Sequence, residues 1–221
     1  CEQIAAQIER LLQSFNRPEH DARGSHWDEK DVILISYGNS IQVAGEAPLQ
    51  TLGKFFRQHL RGVINVVHLL PFFPYSSDDG FAVIDYLQVN PDWGDWSDIA
   101  RIAEDFDLMM DLVINHCSRE HLWFIDYISN REPYTDYFIE VDPSQDVSAV
   151  TRPRNTPLLS PVYTHRGRRH VWATFSDDQI DLNFANPAVL LGFVRILLFY
   201  IEKGARFIRH DAIAFLWKQL G

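Results

Sequence analysis

Cysteine is nearly absent from this sequence: Cys1 and Cys117 are the only two in 221 residues. That excludes a disulfide framework as the main source of stability and points to a reducing compartment, with the cytoplasm as the simplest location. Basic residues are also in short supply, 20 Lys and Arg against 30 Asp and Glu, for a net charge of -10. Such a charge disfavours any affinity built on neutralising phosphates, so nucleic acid and anionic membranes are poor partners. No apolar run is long enough to span a bilayer. The opening residues, with Glu2, Glu9 and Arg10 set in an amphipathic pattern, match no signal peptide. Since Cys1 is no natural start and Gly221 ends abruptly, the chain is expected to be part of a longer protein. What is abundant is apolar material: 46% hydrophobic and 13% aromatic residues can bury a substantial core.

Ile4, Ile8, Leu11, Leu12 and Phe15 recur at helical spacing and predict an amphipathic helix over 2–15 with one buried face. A polar linker, Asn16 to Lys30, separates it from Val32 to Tyr37, a short apolar run closed by Gly38 that fits a strand buried on both faces. The pattern continues with a helix over 48–61, a strand over 64–70, a helix over 95–105 and a strand over 108–114. Residues 117–178, rich in Pro, Arg and aromatics, break the rhythm, and an insertion of that length is more often functional than idle. Order resumes at Asn186-Pro187, an N-cap and first helical position, and runs to Gly204 as the helix stop. A strand from Arg206 to His210 and a short apolar helix to Gly221 follow. Strands alternating with helices imply a parallel α/β sheet, doubly wound or closed into a barrel. No glycine-rich dinucleotide loop follows the first strand, which favours the barrel, and four strand-helix units do not close one. The domain reading is an N-terminal helix and linker (1–30), three barrel strands (31–116), an inserted subdomain (117–178), and a helix, a fourth strand and the start of the next helix (179–221).

Polar residues gather just beyond the strand ends, where both folds place their chemistry. In Gly204 to Asp211, Arg209 and Asp211 are two apart on a strand and so face the same way. A cation beside a carboxylate keeps it ionised, although an isolated Arg-x-Asp is more often a structural ion pair. Asp111 to His116 ends the third strand with Asn115 and His116; alone, His116 reads as a satisfied structural histidine, and with His121 it imitates a metal pair that lacks further ligands. Asp111 lies deeper in the strand, placed to orient its neighbours. Leu70 to Phe81 is either a loop cap with Asp78 and Asp79 as turn residues before Gly80, or a sugar pocket in which a carboxylate meets hydroxyls under an aromatic face. Gln179 to Phe184 is equally divided, since Asp181 and Asn183 could merely cap turns ahead of the helix at Pro187.

Together and in this order, these segments resemble the α-amylase family of glycoside hydrolases and transglycosidases, from about residue 31 onward. Asp111 to His116 is similar to the family's third-strand motif, Gly204 to Asp211 to the fourth-strand motif in which Arg precedes the nucleophilic Asp by two, and Gln179 to Asn183 to the segment that closes the inserted small domain. Leu70 to Phe81 and Asp211 to Lys218 resemble the branch of sucrose phosphorylase and glucosylglycerate phosphorylase. The fold implied is the first half of a (β/α)8 barrel, strands 1 to 4, with a small subdomain inserted after strand 3. The resemblance implies that Asp211 is the nucleophile and that Arg209 orients it. Asp78 would hold the far hydroxyls of a glucosyl ring and Phe81 would stack on it. His116 would donate to its hydroxyl edge, and Phe175 and Gln179 would line the same pocket. Asp111 and Asn115 would support these from behind, with no metal and no cofactor. Retaining chemistry needs a second carboxyl group about 5 Å from the nucleophile, and the family supplies that acid from the fifth strand.

The expected substrates are an α-glucoside of sucrose or glucosylglycerate type and inorganic phosphate, giving α-glucose 1-phosphate. A hydrolase or transglucosidase is the alternative, and so is an inactive fragment, whose two open strand edges would promote association. Self-association of the complete protein stays open. His210 departs from the family, which has an apolar residue there; strand alternation points it away from Arg209 and Asp211, toward a packed helix.

Overall fold

The structure, a computed structural model, describes residues 2–15 and 28–218. Most of the predicted linker and the last three residues therefore lie outside the described residues. Along the chain the elements are α1 (Glu2–Ser14), β1 (Ile33–Ser36), α2 (Pro48–His59), β2 (Val66–Leu69), α3 (Trp96–Ala103), β3 (Asp107–Val113), β4 (His116–Ser118), α4 (Leu122–Ile128), β5 (Leu159–Thr164), β6 (Gly167–Trp172), β7 (Gln179–Asp181), α5 (Pro187–Glu202) and β8 (Ala205–Asp211). They divide into two compact units. One comprises Cys1–Pro74, Leu87–Leu112 and Val194–Arg209, the other Tyr75–Tyr86, Val113–Phe193 and His210–Gly221.

The first unit is built on a sheet in the order β1-β2-β3-β8. The pairs β1–β2 and β2–β3 are parallel, with Ile33 opposite Val66 and His68 opposite Met109. Every residue of β2 is buried, as expected for an inner strand covered on both faces. β1 departs from the sequence expectation: Ile33 is 40% and Ile35 60% exposed. The reason is its place at one end of the sheet, where cover from a second neighbour is missing among the described residues. α1 also forms as predicted but has no buried residue, so its apolar stripe is only half covered.

Helices α2 and α3 show why the sequence folds here. Pro48 opens α2, where its missing N–H is harmless, and Leu49, Leu52 and Phe56 bury one face. Gly53 lets Ile102 of α3 approach, since a Cβ there would come within 3.2 Å of the Ile102 side chain. α3 begins with a reciprocal cap: Asp95 Oδ1 accepts from the Ser97 amide at 2.7 Å, and Asp98 Oδ2 accepts from the Asp95 amide at 3.0 Å.

In the second unit β4 and β7 pair antiparallel, His116 opposite Asp181 and Ser118 opposite Gln179, while β5 and β6 form a hairpin. Val141, Leu158 and Trp172 make a small core under the hairpin. The rings of Tyr86, Trp123 and Phe193 form a second one, with centroids 5.4–6.2 Å apart. α5 starts as predicted, with Asn186 Oδ1 accepting from the Ala188 amide at 2.9 Å, and Gly204 at φ +98° follows its end. After β8, the predicted apolar helix is a single 3-10 turn, Ile213–Phe215, entered through Ala212 in the left-handed region. His210 is exposed, so the packing role expected of it is not met.

Candidate active site

In the first unit, three neighbouring strands bring three polar side chains together at the sheet. Asp111 on β3 is fully buried. Its Oδ2 lies 2.7 Å from His68 Nε2 on β2, and its Oδ1 accepts from the Arg209 guanidinium on β8. A buried carboxylate needs such partners, because leaving its oxygens bare would cost more than any single hydrogen bond returns. Arg209 itself remains partly exposed, with 44% of its side chain accessible.

In the second unit, His116 is the hub. Asn115 Oδ1 accepts from the Lys218 ammonium at 2.9 Å, which turns the Asn115 amide nitrogen toward Asp181 Oδ2 at 3.1 Å and His116 Nδ1 at 3.2 Å. His116 Nδ1 is therefore the acceptor and Nε2 carries the proton, aimed at the Phe81 carbonyl 3.0 Å away. Ser176 donates to Gln179 Oε1 at 2.9 Å, so the Gln179 amide nitrogen faces Asp78 Oδ2 at 2.9 Å. That nitrogen also touches His116 Nε2 at 3.2 Å; both atoms bear hydrogens, so this is a contact without a bond. The Phe175 ring lies 5.1 Å from the His116 ring and 5.5 Å, edge to face, from Phe215. Asp78, Phe81, His116, Phe175 and Gln179 are thus linked within one unit.

Burial is the main influence on His116 and holds its pKa below the ordinary 6.5, against the opposing charges of Asp181 and Asp211. A neutral imidazole is what the tautomer above requires. The loop carrying Asp78 is held in an unusual shape: Asp78 and Asp79 have φ of 55° and 49°, ahead of Gly80 at 106°. Aspartate is one of the few non-glycine residues that enter the left-handed region, and local hydrogen bonds hold it there. Here Ser76 donates to Asp178 Oδ2 at 2.6 Å, Ser77 donates to the same oxygen, and the Phe81 amide donates to the Asp78 carbonyl at 3.0 Å.

Asp181 turns out not to be a turn cap. It is fully buried and accepts from the Thr174 amide at 2.8 Å, from the Thr174 hydroxyl, from Asn115 and from Lys218 at 2.9 Å. Lys218 also donates to the Phe215 carbonyl, and only 6% of its side chain is exposed. Burial lowers the Lys218 pKa, and the Asp181 charge works against that. Asn183, by contrast, does cap a turn, accepting from the Ala185 amide at 3.2 Å. Sequence reasoning missed His68 and gave Lys218 no role. His68 carried a signal, one polar residue inside the apolar run Val66 to Leu70, which burial obliges to find a partner, whereas Lys218 directly follows the apolar run Ile213 to Trp217 and looks like an ordinary surface lysine after it.

The family profile "Alpha amylase, catalytic domain" matches residues 59–220. The chain belongs to the alpha-amylase family. Within that family it is 55% identical over 194 residues to the glucosylglycerate phosphorylase of Spirochaeta thermophila, covering 88% of this chain and 33% of that one. It is 49% identical over 218 residues to the glucosylglycerate phosphorylase of Allomeiothermus silvanus, covering 99% and 39%. The crystal structure of sucrose 6F-phosphate phosphorylase from Thermoanaerobacter thermosaccharolyticum superposes with a TM-score of 0.80 at 29% identity, over 91% of this chain and 43% of that one. The chain spans 33–39% of the length of these two curated relatives. The sheet β1-β2-β3-β8 is accordingly the N-terminal part of an alpha-amylase (β/α)8 barrel, interrupted after its third strand by the inserted subdomain.

Proposed function

We propose that the whole protein transfers a glucosyl group, with retention, from a sucrose- or glucosylglycerate-type α-glucoside to inorganic phosphate, releasing α-glucose 1-phosphate. The observation that carries this reading is the linked set Asp78, Gln179, His116 and Phe175 in the second unit, which also holds Asp211 near enough for its charge to act on His116. Asp78 is exposed yet anchored through Gln179, so its second oxygen is available to a pair of sugar hydroxyls. Phe81 and Phe175 offer aromatic faces to the ring. The His116 Nε2 proton is pre-aimed, and a hydroxyl oxygen replacing or sharing the Phe81 carbonyl would accept it. Asn115 and Asp111 fix the orientation of the groups they touch.

In the reaction, a lone pair of the Asp211 carboxylate attacks the anomeric carbon while the bond to the leaving oxygen breaks. That oxygen takes a proton from the acid, assigned by the resemblance to the fifth strand. A phosphate oxygen then attacks the covalent glucosyl-enzyme, its proton passes to the same acid, and Asp211 is released. Two inversions give net retention. The relatives named above favour phosphate over water as acceptor, and free phosphate suits a cytoplasmic enzyme that uses neither nucleic acid nor membrane as partner.

The test is glucose 1-phosphate formation by the whole protein from sucrose and from glucosylglycerate, with and without phosphate, beside its Asp211→Asn variant. Phosphate-dependent product that falls by about 10³-fold or more in the variant is expected for loss of a nucleophile. Free glucose with no phosphate requirement would assign the protein to the hydrolases instead, and full activity in the variant would remove Asp211 from the mechanism.

A further inference from the structure

We propose that His68 is a positioning residue for the proposed glucosyl transfer, fixing the Asp111 carboxylate and, through it, the Arg209 guanidinium. This rests on the reading above in one respect, that Arg209 serves the nucleophile. The rest follows from the first unit alone. His68 is buried in a strand whose other three residues, Val66, Val67 and Leu69, are apolar. Register sets it opposite Met109, and Asp111 is two residues beyond Met109, so His68 and Asp111 share one face of the sheet. The carboxylate between them and β8 is held by both oxygens, Oδ2 by His68 and Oδ1 by Arg209.

Holding both oxygens matters because a carboxylate engaged at one oxygen alone can pivot about its Cβ–Cγ bond. His68 removes that freedom from the side facing away from Arg209. The guanidinium is planar and bonds in a fixed fork, so the orientation of its acceptor sets its own. Nearly half of the Arg209 side chain is exposed, so its orientation depends on the contacts that hold it, and the Asp111 carboxylate is one of them. His68 therefore does more than satisfy a buried acid. It transmits the rigidity of an inner strand, across Asp111, to a side chain at the sheet's end.

Three substitutions in the whole protein separate this from a merely structural role. His68→Gln keeps an amide nitrogen at the reach of Nε2, His68→Leu removes the donor, and His68→Asn keeps polarity but falls short of Asp111. With α-glucosyl fluoride and phosphate as substrates, His68→Leu is expected to lower kcat by about tenfold to a hundredfold, with KM within about twofold, and His68→Gln to restore most of the rate. In an Arg209→Lys background the same change should add less than about threefold, because the element it positions is already gone. Should His68→Leu fail to fold, His68→Asn is expected to show the same drop. Independently of turnover, the ¹⁵N–¹H signal of the Arg209 Nε, assigned by its loss in Arg209→Lys, should report slow rotation in wild type and His68→Gln and averaging in the Leu or Asn variant.

An unchanged kcat per folded molecule, additivity with Arg209→Lys, or an unaltered Arg209 signal overturns the proposal. If the whole protein turns over no α-glucoside, the proposed function fails and the Arg209 signal alone decides for or against His68.

Discussion

His121 is a neutral imidazole with a structural task, and acid should remove it. Its Nδ1 accepts from the Trp123 amide at 3.0 Å, capping α4, so Nδ1 cannot carry a proton in the folded state. The rings of Tyr86 and Trp123 flank it at 5.3 and 4.8 Å, and burial pulls its pKa from 6.5 to about 4. A group whose folded pKa is depressed stabilises the fold above its unfolded value of 6.5, and that stability is lost as pH falls toward about 4. At pH 5 the loss covers roughly 1.5 pH units, or about 2 kcal/mol. In a domain of this size that lowers the melting midpoint by about 4–8 °C. His121→Asn keeps a good N-cap and does not titrate. Thermal unfolding followed by circular dichroism at pH 7 and pH 5 should show wild type losing that much more than the variant. Parallel losses in the two proteins would refute the account, because other buried groups titrate in both.

Two further predictions concern stability. Lys218→Met leaves Asp181 buried without its cation and is expected to destabilise by about 3–5 kcal/mol, with Asp181→Asn in the same background recovering part of it. Equal denaturant midpoints for Lys218→Met and wild type would contradict this. Gly94→Ala combines a φ of +144° with a Cβ 2.3 Å from Asp98 Oδ2, the acceptor in the α3 cap. It should cost about 2 kcal/mol or more, and amide exchange should rise at Asp95, Ser97 and Asp98; unchanged protection there would show that the loop adapts freely.

Much of the fold was legible because its signals are local. Leu49, Leu52 and Phe56 announce α2 by spacing, Asp95 and Asp98 mark the start of α3, and Gly204 marks the end of α5. The burial of β1 was not legible, because an apolar strand reads alike at the middle and at the end of a sheet; position in the sheet decides how much of Ile33 and Ile35 is covered. The candidate site divides the same way. Asp78, His116, Gln179 and Asp211 stand at strand ends and in loops, where polar residues draw attention. His68 is embedded in an apolar strand and Lys218 follows an apolar run, and their partners Asp111 and Asn115 lie 43 and 103 residues away in the chain. No local pattern encodes such pairs.

The oxygen cage formed by Asn115 Oδ1, Asp181 Oδ2 and the Phe215 carbonyl holds the ammonium of Lys218. An ion drawn from solution would occupy such a cage according to its concentration, would exchange, and would yield to a chelator. A cation tethered by its own chain does none of these, since its effective concentration is set by four methylene groups and not by the medium. The segment after β8 and the β4–β7 ladder are joined by that charge. Because Lys218 lies seven residues beyond Asp211, the clamp becomes available only when the segment carrying the proposed nucleophile has been made and folded back upon it.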